Sequence, residues 1–171
     1  ATHRGGQCEC MPAAAGRTAT ASVLRLAVAE IPPYDYVWFA RDMRTHRGTT
    51  QKNATAKKWT LDASALSASI NGLERAGQLF AAARDSVLAK GSLSKAVSAR
   101  TNASLMLVER ALTRPQGLKT RPWFRNLIYA TDADNGYSNM VFPSFNDATR
   151  SGDQQLQPAE LNDLAQRFTT A

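Results

Sequence analysis

Apolar residues in the first third of the chain recur every three or four positions, which is the spacing of one helix face. The stripe from Leu24 to Ile31 predicts a first helix, and the two prolines that follow must end it. The stripe from Tyr36 to Met43 predicts a second helix, with Asp35 suited to its first turn and Gly48 to its exit. The polar stretch 49–60 has no apolar period and is interpreted as a connecting loop or a frayed extension.

Three further helices follow from the same periodicity. The stripe from Leu66 to Val87 predicts a long third helix. Lys90-Gly91-Ser92 is expected to end that helix and to supply the N-cap of the next one. The stripe from Leu93 to Leu112 predicts the fourth helix. The stripe from Leu161 to Phe168 predicts the last one, with Pro158 in the first turn that proline favours.

These stripes predict an all-α fold, a four-helix-bundle-like arrangement of up-down helices. No segment alternates β-branched and polar residues over a strand's length, and the nearest candidate, residues 126–130, is short. Between Arg114 and Pro158 the helical period is weak, but the segment is rich in aromatic residues, which argues against disorder. We therefore expect a long ordered loop before the last helix, packed against a neighbour.

The chain of 171 residues carries no complete catalytic or metal site in its sequence. His3 and His46 are the only histidines, and neither belongs to a metal-binding motif or has an orienting partner for a nucleophile. Cys8 and Cys10 lack the second pair of ligands that a structural zinc site needs. No apolar run is long enough to cross a bilayer, so we expect no membrane contact.

The net charge of +7 allows an anionic partner, but the basic residues are scattered and are interpreted as solvated helix faces. A lesser alternative is a basic helical module that binds nucleic acid, and our leading interpretation includes no such partner. That alternative would use the following basic residues: Lys57, Lys58, Lys119, Arg121 and Arg125.

A set of residues at fixed spacing then points to a known family. The chain resembles the C-terminal dimerisation domain of transferrin receptors and glutamate carboxypeptidases over about residues 18–171. The resemblance depends on these positions: Glu109, Arg110, Pro115, Gly117, Leu118, Arg121, Pro122, Arg125, Tyr129, Ala130, Asn135, Tyr137, Phe142, Pro143 and Asp147. Residues 1–17 match nothing in that family and are expected to be a flexible leader or a non-native remnant, and the last helix is shorter than the family's.

The resemblance implies a homodimerisation domain that follows a zinc-dependent peptidase domain in a larger protein. Two zinc ions and the catalytic groups would belong to that preceding domain, so this chain alone would not be an enzyme while its parent would be an exopeptidase. The implied partners are a second copy and the peptidase-like domain of the parent. The family implies an extracytoplasmic location. The main alternative is the dimerisation bundle of a non-catalytic protein similar to transferrin receptors.

In this family one loop of the domain reaches back to line the substrate pocket, and Asn135, Gly136 and Tyr137 lie on the matching loop. The resemblance implies that the phenol of Tyr137 contacts a substrate carboxylate, while the alternative is a packed aromatic residue. Glutamate-selective members carry a lysine where this chain has Gly136, so we expect a parent enzyme to accept other C-terminal residues. Arg110, Arg121 and Arg125 are expected to be structural, as are the prolines at 122 and 143.

Overall fold

The structure, a computed structural model, describes residues 10–171 and their side chains from residue 13 onward. His3 and Cys8 therefore lie outside the described residues. The described part is predominantly helical, as predicted, with six helices and one two-stranded sheet. Its elements in chain order are α1 (Cys10–Val28), α2 (Tyr36–Ala56), α3 (Ser64–Leu88), α4 (Lys95–Ala111), β1 (Tyr129–Thr131), β2 (Asn139–Val141), α5 (Pro143–Ser151) and α6 (Leu156–Thr170).

The core lies where α3 packs between α2 and α6. Met43 from α2, Leu66 and Ile70 from α3, and Phe168 from α6 are almost fully buried there. Gly77 lets α3 approach the start of α2, because a Cβ at that position would lie 3.0 Å from the Cβ of Tyr36. Two predicted stripes, those of the third and last helices, thus form the centre of the bundle.

The second helix begins as predicted but ends later. Asp35 caps it, since its Oδ1 accepts a hydrogen bond from the Trp38 N–H at 2.8 Å. The helix passes through Gly48 and ends at Ala56, so the interpretation of residues 49–60 as a loop was wrong for most of that stretch. Thr50 and Ala54 are buried there, and their burial against the bundle holds a polar sequence in a helix that its local pattern does not predict.

The first and fourth helices lie at the edge of the bundle. α1 ends at Val28, before the prolines, and that residue is 77% exposed although its stripe predicted burial. In α4 the N-cap is Ser94, two residues after the predicted cap, and its hydroxyl accepts from the Val97 N–H. Leu105 is the buried residue of α4. Both helices therefore keep apolar residues on the outside.

The segment before the last helix is ordered, as predicted, and contains more regular structure than its sequence indicated. β1 and β2 pair antiparallel with Ala130 opposite Met140, in part over the stretch dismissed as too short for a strand. Phe142 then adopts a left-handed conformation with φ 50°, and Pro143 opens α5. α5 packs on α6, which attaches the hairpin to the core.

A tight turn precedes the hairpin and depends on one glycine. Gly117 has φ +72°, and a Cβ there would lie 1.9 Å from the carbonyl oxygen of Pro122. No side chain fits in that space, and the positive φ also disfavours one. The Gly117 and Pro122 positions of the family pattern are thus parts of a single close contact.

A buried ion pair joins the end of α4 to α6. The guanidinium of Arg114 donates to Glu160 Oε2 at 2.8 Å and to Asp163 Oδ2 at 2.5 Å. Arg167 also donates to Asp163, at 2.9 Å, and to the carbonyl of Thr113. Burial opposes ionisation of Asp163, but the hydrogen bonds from Arg167 and Arg114 outweigh it, so its pKa lies below the usual value.

We expect Arg114→Leu to be strongly destabilising, because it leaves the Glu160 carboxylate, whose side chain is 4% exposed, without its cation. Removing one partner of a buried pair costs about 3–5 kcal/mol in the free energy of unfolding. Urea denaturation monitored by circular dichroism would measure the loss.

The matched control is the double variant Arg114→Leu with Glu160→Leu, which removes both charges. It should recover a large part of the lost stability, because no unpaired charge stays buried. A single variant that costs less than about 1 kcal/mol would show that α6 does not depend on this pair.

Candidate functional site

The tip of the β1–β2 hairpin carries the three residues predicted for the pocket loop. Asn135 Oδ1 accepts from the N–H groups of Tyr137 and Ser138 at 2.9 and 3.0 Å, which closes the turn. Gly136 has φ +69°, a conformation that favours glycine. The Tyr137 side chain is 96% exposed, so the alternative of a packed aromatic residue does not describe it in this chain.

Arg150 of α5 binds two aspartates of the hairpin loop and so holds the hairpin tip against α5. It donates to Asp132 Oδ2 at 2.9 Å and to Asp134 Oδ2 at 2.8 Å, one carboxylate on each of two guanidinium nitrogens. The Arg150 hydrogen bond lowers the pKa of Asp132 below its usual value, and bonds from the N–H groups of Asp134 and Asn135 add to the effect. Sequence spacing gave no signal for this clamp, because Arg150 lies far along the chain from both acids.

Arg121 fixes the base of the hairpin. Its Nε donates to Asp147 Oδ2 at 3.1 Å, and its Nη1 donates to the carbonyl oxygen of Thr131 at 2.6 Å. The guanidinium carbon lies 5.1 Å from the centre of the Phe124 ring, a cation–π distance. The side chain is buried and ties β1 to α5.

Glu109, Arg110 and Tyr129 meet at an open pocket of about 320 Å³ on the outside of the bundle. The Tyr129 hydroxyl donates to Asp42 Oδ2 at 3.4 Å, and its pKa is raised by burial and by that carboxylate. Burial, with smaller contributions from Tyr34 and Glu109, raises the pKa of Tyr36 to about 12. Tyr129 and Tyr36 therefore stay protonated at neutral pH, and their hydroxyls donate to Asp42 and to the Leu105 carbonyl.

The remaining motif residues have structural surroundings. The Arg125 carbonyl oxygen accepts from the Arg114 N–H at 2.8 Å, while the Arg125 side chain is exposed. Pro122 supplies the carbonyl that contacts Gly117. Phe142 and Pro143 are buried at the start of α5. Hence the family pattern around the hairpin describes mainly the scaffold that presents its tip.

A second candidate site is the outer face of α4. Ala96, Ala99, Ala103 and Met106 are exposed and follow one another at steps of three or four residues, and the exposed Leu107 is four residues after Ala103, which places all five on one side of the helix. Met106 is 51% exposed and Leu107 is 59% exposed. Since α4 packs inward through Leu105, this outer face is a mainly apolar surface without a partner among the described residues, and it also carries the exposed Arg100 between Ala96 and Ala103.

α1 presents a similar surface. Val23, Leu24 and Leu26 are all more than half exposed, while Arg25 lies toward the other side of the helix. In proteins most of the stability of a helix comes from packing its apolar face against other elements. α1 instead keeps its large apolar side chains exposed among the described residues.

Other kinds of site find little support in the described residues. No group of three or more potential metal ligands occurs among residues 10–171, and no helix there is long and apolar enough to span a bilayer. The basic residues considered for nucleic acid do not form one surface, because Arg121 is buried and Lys57 donates to the carbonyl of Thr149 at 2.7 Å. The candidate sites among the described residues are therefore the exposed faces of α4 and α1, which suit assembly, and the tip of the hairpin, which suits ligand contact.

Comparison with known proteins agrees with this picture. The sequence model of the transferrin receptor-like dimerisation domain matches residues 61–171. The probable glutamate carboxypeptidase LAMP1 of Arabidopsis thaliana is 32% identical over 125 residues, which is 73% of this chain and 17% of that protein. The probable glutamate carboxypeptidase AMP1 of the same plant is 32% identical over 140 residues, which is 74% of this chain and 18% of that protein. The chain therefore spans less than a fifth of each of these curated relatives.

We expect Arg150→Gln to loosen the hairpin tip, because a neutral amide cannot hold two carboxylates as a guanidinium does. Since the folded pKa of Asp132 is lowered, the clamp is intact above the unfolded value of about 4 and is lost as pH falls through the folded value. Backbone ¹⁵N relaxation should show the wild-type tip loosening at acidic pH and the variant loose throughout. A variant tip as ordered as the wild type at neutral pH would contradict the clamp.

Proposed function

This chain belongs to the transferrin receptor-like dimerisation domain family, and from that premise we propose that it joins two copies of a zinc-dependent exopeptidase of glutamate carboxypeptidase type. The observation that carries the proposal is the unpartnered apolar face of α4 on a domain whose family is defined by dimerisation. The metal ions and the catalytic groups would belong to a peptidase domain outside this chain, in an extracytoplasmic protein.

The α4 face has the composition expected of a subunit interface. Its small alanines allow a second helix to approach closely, and Met106 and Leu107 supply the large apolar groups. Exposed apolar area of this kind is favourable to bury, at roughly 25 cal/mol per Å². A stable interface buries about 1,600 Å² in total, so the α4 face would be one part of a larger contact to which α1 adds.

The hairpin tip supports a second element of the proposal, a contribution to the substrate pocket of the parent. Tyr137 projects its hydroxyl into solvent on a turn that the Asn135 side chain and the Arg150 clamp hold in place. A phenol on a fixed support can donate to a carboxylate without first losing conformational freedom. We infer that this hydroxyl meets the C-terminal carboxylate of a bound peptide.

Gly136 bears on specificity. The position has open space where a Cβ would stand, and it carries no cation that would pair with a glutamate side chain. The tip therefore offers a recognition group for a carboxylate common to all peptides but none for an acidic side chain. Gly136 is also compatible with the second candidate, a non-catalytic transferrin-receptor-like parent. The zinc ligands of the parent sequence would distinguish the two candidates: their presence favours the exopeptidase, and their loss favours the non-catalytic protein.

The chain should form a dimer in solution, with about twice the 18.6 kDa monomer mass. Leu107→Asp should shift it to monomer, because the change buries an unpaired carboxylate in the interface. Size-exclusion chromatography with light scattering over a dilution series measures both species.

Leu79→Asp is the matched control, since Leu79 is a 75% exposed leucine on α3. That variant should stay dimeric if the interface lies on α4. A dimer that survives Leu107→Asp but not Leu79→Asp would move the interface to α3, and a wild-type monomer at every concentration would contradict self-assembly by this domain alone.

In the full-length parent, we expect peptides that end in leucine or methionine to be cleaved at least as well as those that end in glutamate. Gly136→Lys should raise the kcat/KM ratio for glutamate over leucine by about tenfold or more, because a cation near the side-chain carboxylate is worth over ~1 kcal/mol when partly desolvated. Gly136→Gln is the neutral control. A wild-type enzyme with strong glutamate preference would refute this account of the tip.

A further inference from the structure

A polar cleft of about 630 Å³ lies between the second half of α2 and the hairpin. His46, Thr49, Asn53 and Lys57 line one wall, and all three residues of β2 line the other. Its volume is within the range of about 300–1,000 Å³ that is usual for ligand sites. Arg150 and Asp132 of the hairpin clamp also line this cleft, whereas Tyr137 and the outer face of α4 do not.

The β2 wall of the cleft is an open strand edge. The Phe142 N–H donates to the Ile128 carbonyl, and the Asp132 N–H donates to the Ser138 carbonyl. In an antiparallel ladder, hydrogen-bonded pairs alternate with pairs whose polar groups face outward. Asn139 and Val141 therefore direct their N–H groups away from β1, on the strand that lines the cleft.

Most of these outward groups have no hydrogen-bond partner among the described residues. The Val141 carbonyl accepts from Asn146 Nδ2 at 2.5 Å, which leaves the Val141 N–H and both backbone groups of Asn139 free. An exposed row of unpaired backbone groups is a template for another strand. The edge is three residues long, so it fits a short extended peptide.

The α2 wall gives the cleft its charge preference. Residues 43–61 contain no aspartate or glutamate, but two of their basic residues pair with acids outside the stretch: Arg44 with Glu74, and His46 with Asp42 at 3.5 Å. Lys57 donates to the Thr149 carbonyl and has no carboxylate partner among the described residues. On the opposite side, Asp132 and Asp134 both pair with Arg150, and the three side chains together leave a net charge of −1 there. An anionic side chain is therefore favoured on the α2 side.

We propose that this cleft binds an extended acidic peptide segment of another protein, which adds a strand to the free edge of β2. The peptide backbone pairs with the N–H and carbonyl of Asn139 and with the N–H of Val141. Alternate side chains of the peptide point toward α2, where an aspartate or glutamate meets Lys57. The backbone pairing supplies affinity, and the charge supplies the choice of partner.

The test uses the ¹⁵N-labelled chain and the blocked peptide acetyl-Thr-Glu-Val-Glu-amide, with the two glutamates replaced by lysine in a matched peptide. Titration to about 5 mM covers the weak affinity expected of such a short pairing. We expect saturable shifts at the Asn139 and Val141 amides, and at least about tenfold weaker binding of the lysine peptide. Absence of saturable shifts at these amides, or equal binding of both peptides, would overturn the proposal.

Val141→Pro deletes the outward N–H without removing a bond to β1, and proline is tolerated at such edge positions. This variant should lose binding by at least about tenfold, whereas Val141→Ala, which keeps the N–H, should bind within about threefold of wild type. Thermal melting would show that both variants are folded. Equal binding by the proline variant would exclude strand addition.

Lys57→Gln should remove the difference between the two peptides while leaving binding of an uncharged one intact. Shifts at Asn139 and Val141 that grow with the concentration of the chain alone would mean that a second copy fills the edge, and would overturn the acidic-peptide proposal. Because Leu107→Asp changes a different helix, peptide binding by that variant separates this proposal from the proposed dimerisation.

Discussion

The buried guanidinium of Arg114 is the contact on which the rest of the structure depends. It lies where α4 ends and the long segment begins, and it holds two carboxylates of α6 at hydrogen-bond distance. α6 in turn packs on both α3 and α5. One side chain thus fixes the start of the segment between α4 and α6 to the core. The position of the hairpin, which lies in that segment, depends on this connection. A buried charge tolerates few alternative arrangements, because every displacement leaves it unpaired.

The parts of the fold that local chemistry determines were predictable. Apolar periodicity found α3 and α6, and the Asp35 cap marked the start of α2. The prediction that α2 ends near Gly48 was wrong. A glycine favours the end of a helix, but burial of the residues that follow it can outweigh that preference and extend the helix. Here Thr50 and Ala54 gain burial by continuing. For α1 the periodicity was right and the inferred burial was wrong, since a stripe shows which side is apolar but not what covers it.

The hairpin shows the same limit. Its composition predicted order, and the family pattern directed attention to the Asn135-Gly136-Tyr137 turn. Neither could show that Tyr137 is almost fully exposed, because exposure is set by the clamp of Arg150 and by the Arg121 contacts at the base. These are long-range pairings, which no local spacing encodes. The open edge of β2 was equally invisible, as it depends on a strand register that the sequence did not predict.

The surfaces proposed for recognition are separate from the contacts that hold the domain together. The α4 face, the Tyr137 hydroxyl and the β2 edge point outward, whereas the Arg114 pair and the α2–α3–α6 core contribute the stability. Substitutions at distant, independent sites have nearly additive effects on stability. The exposed faces could therefore change partner or specificity at little cost to folding. Positions such as Gly117 have no such freedom, because a backbone contact fills the space that any side chain would need.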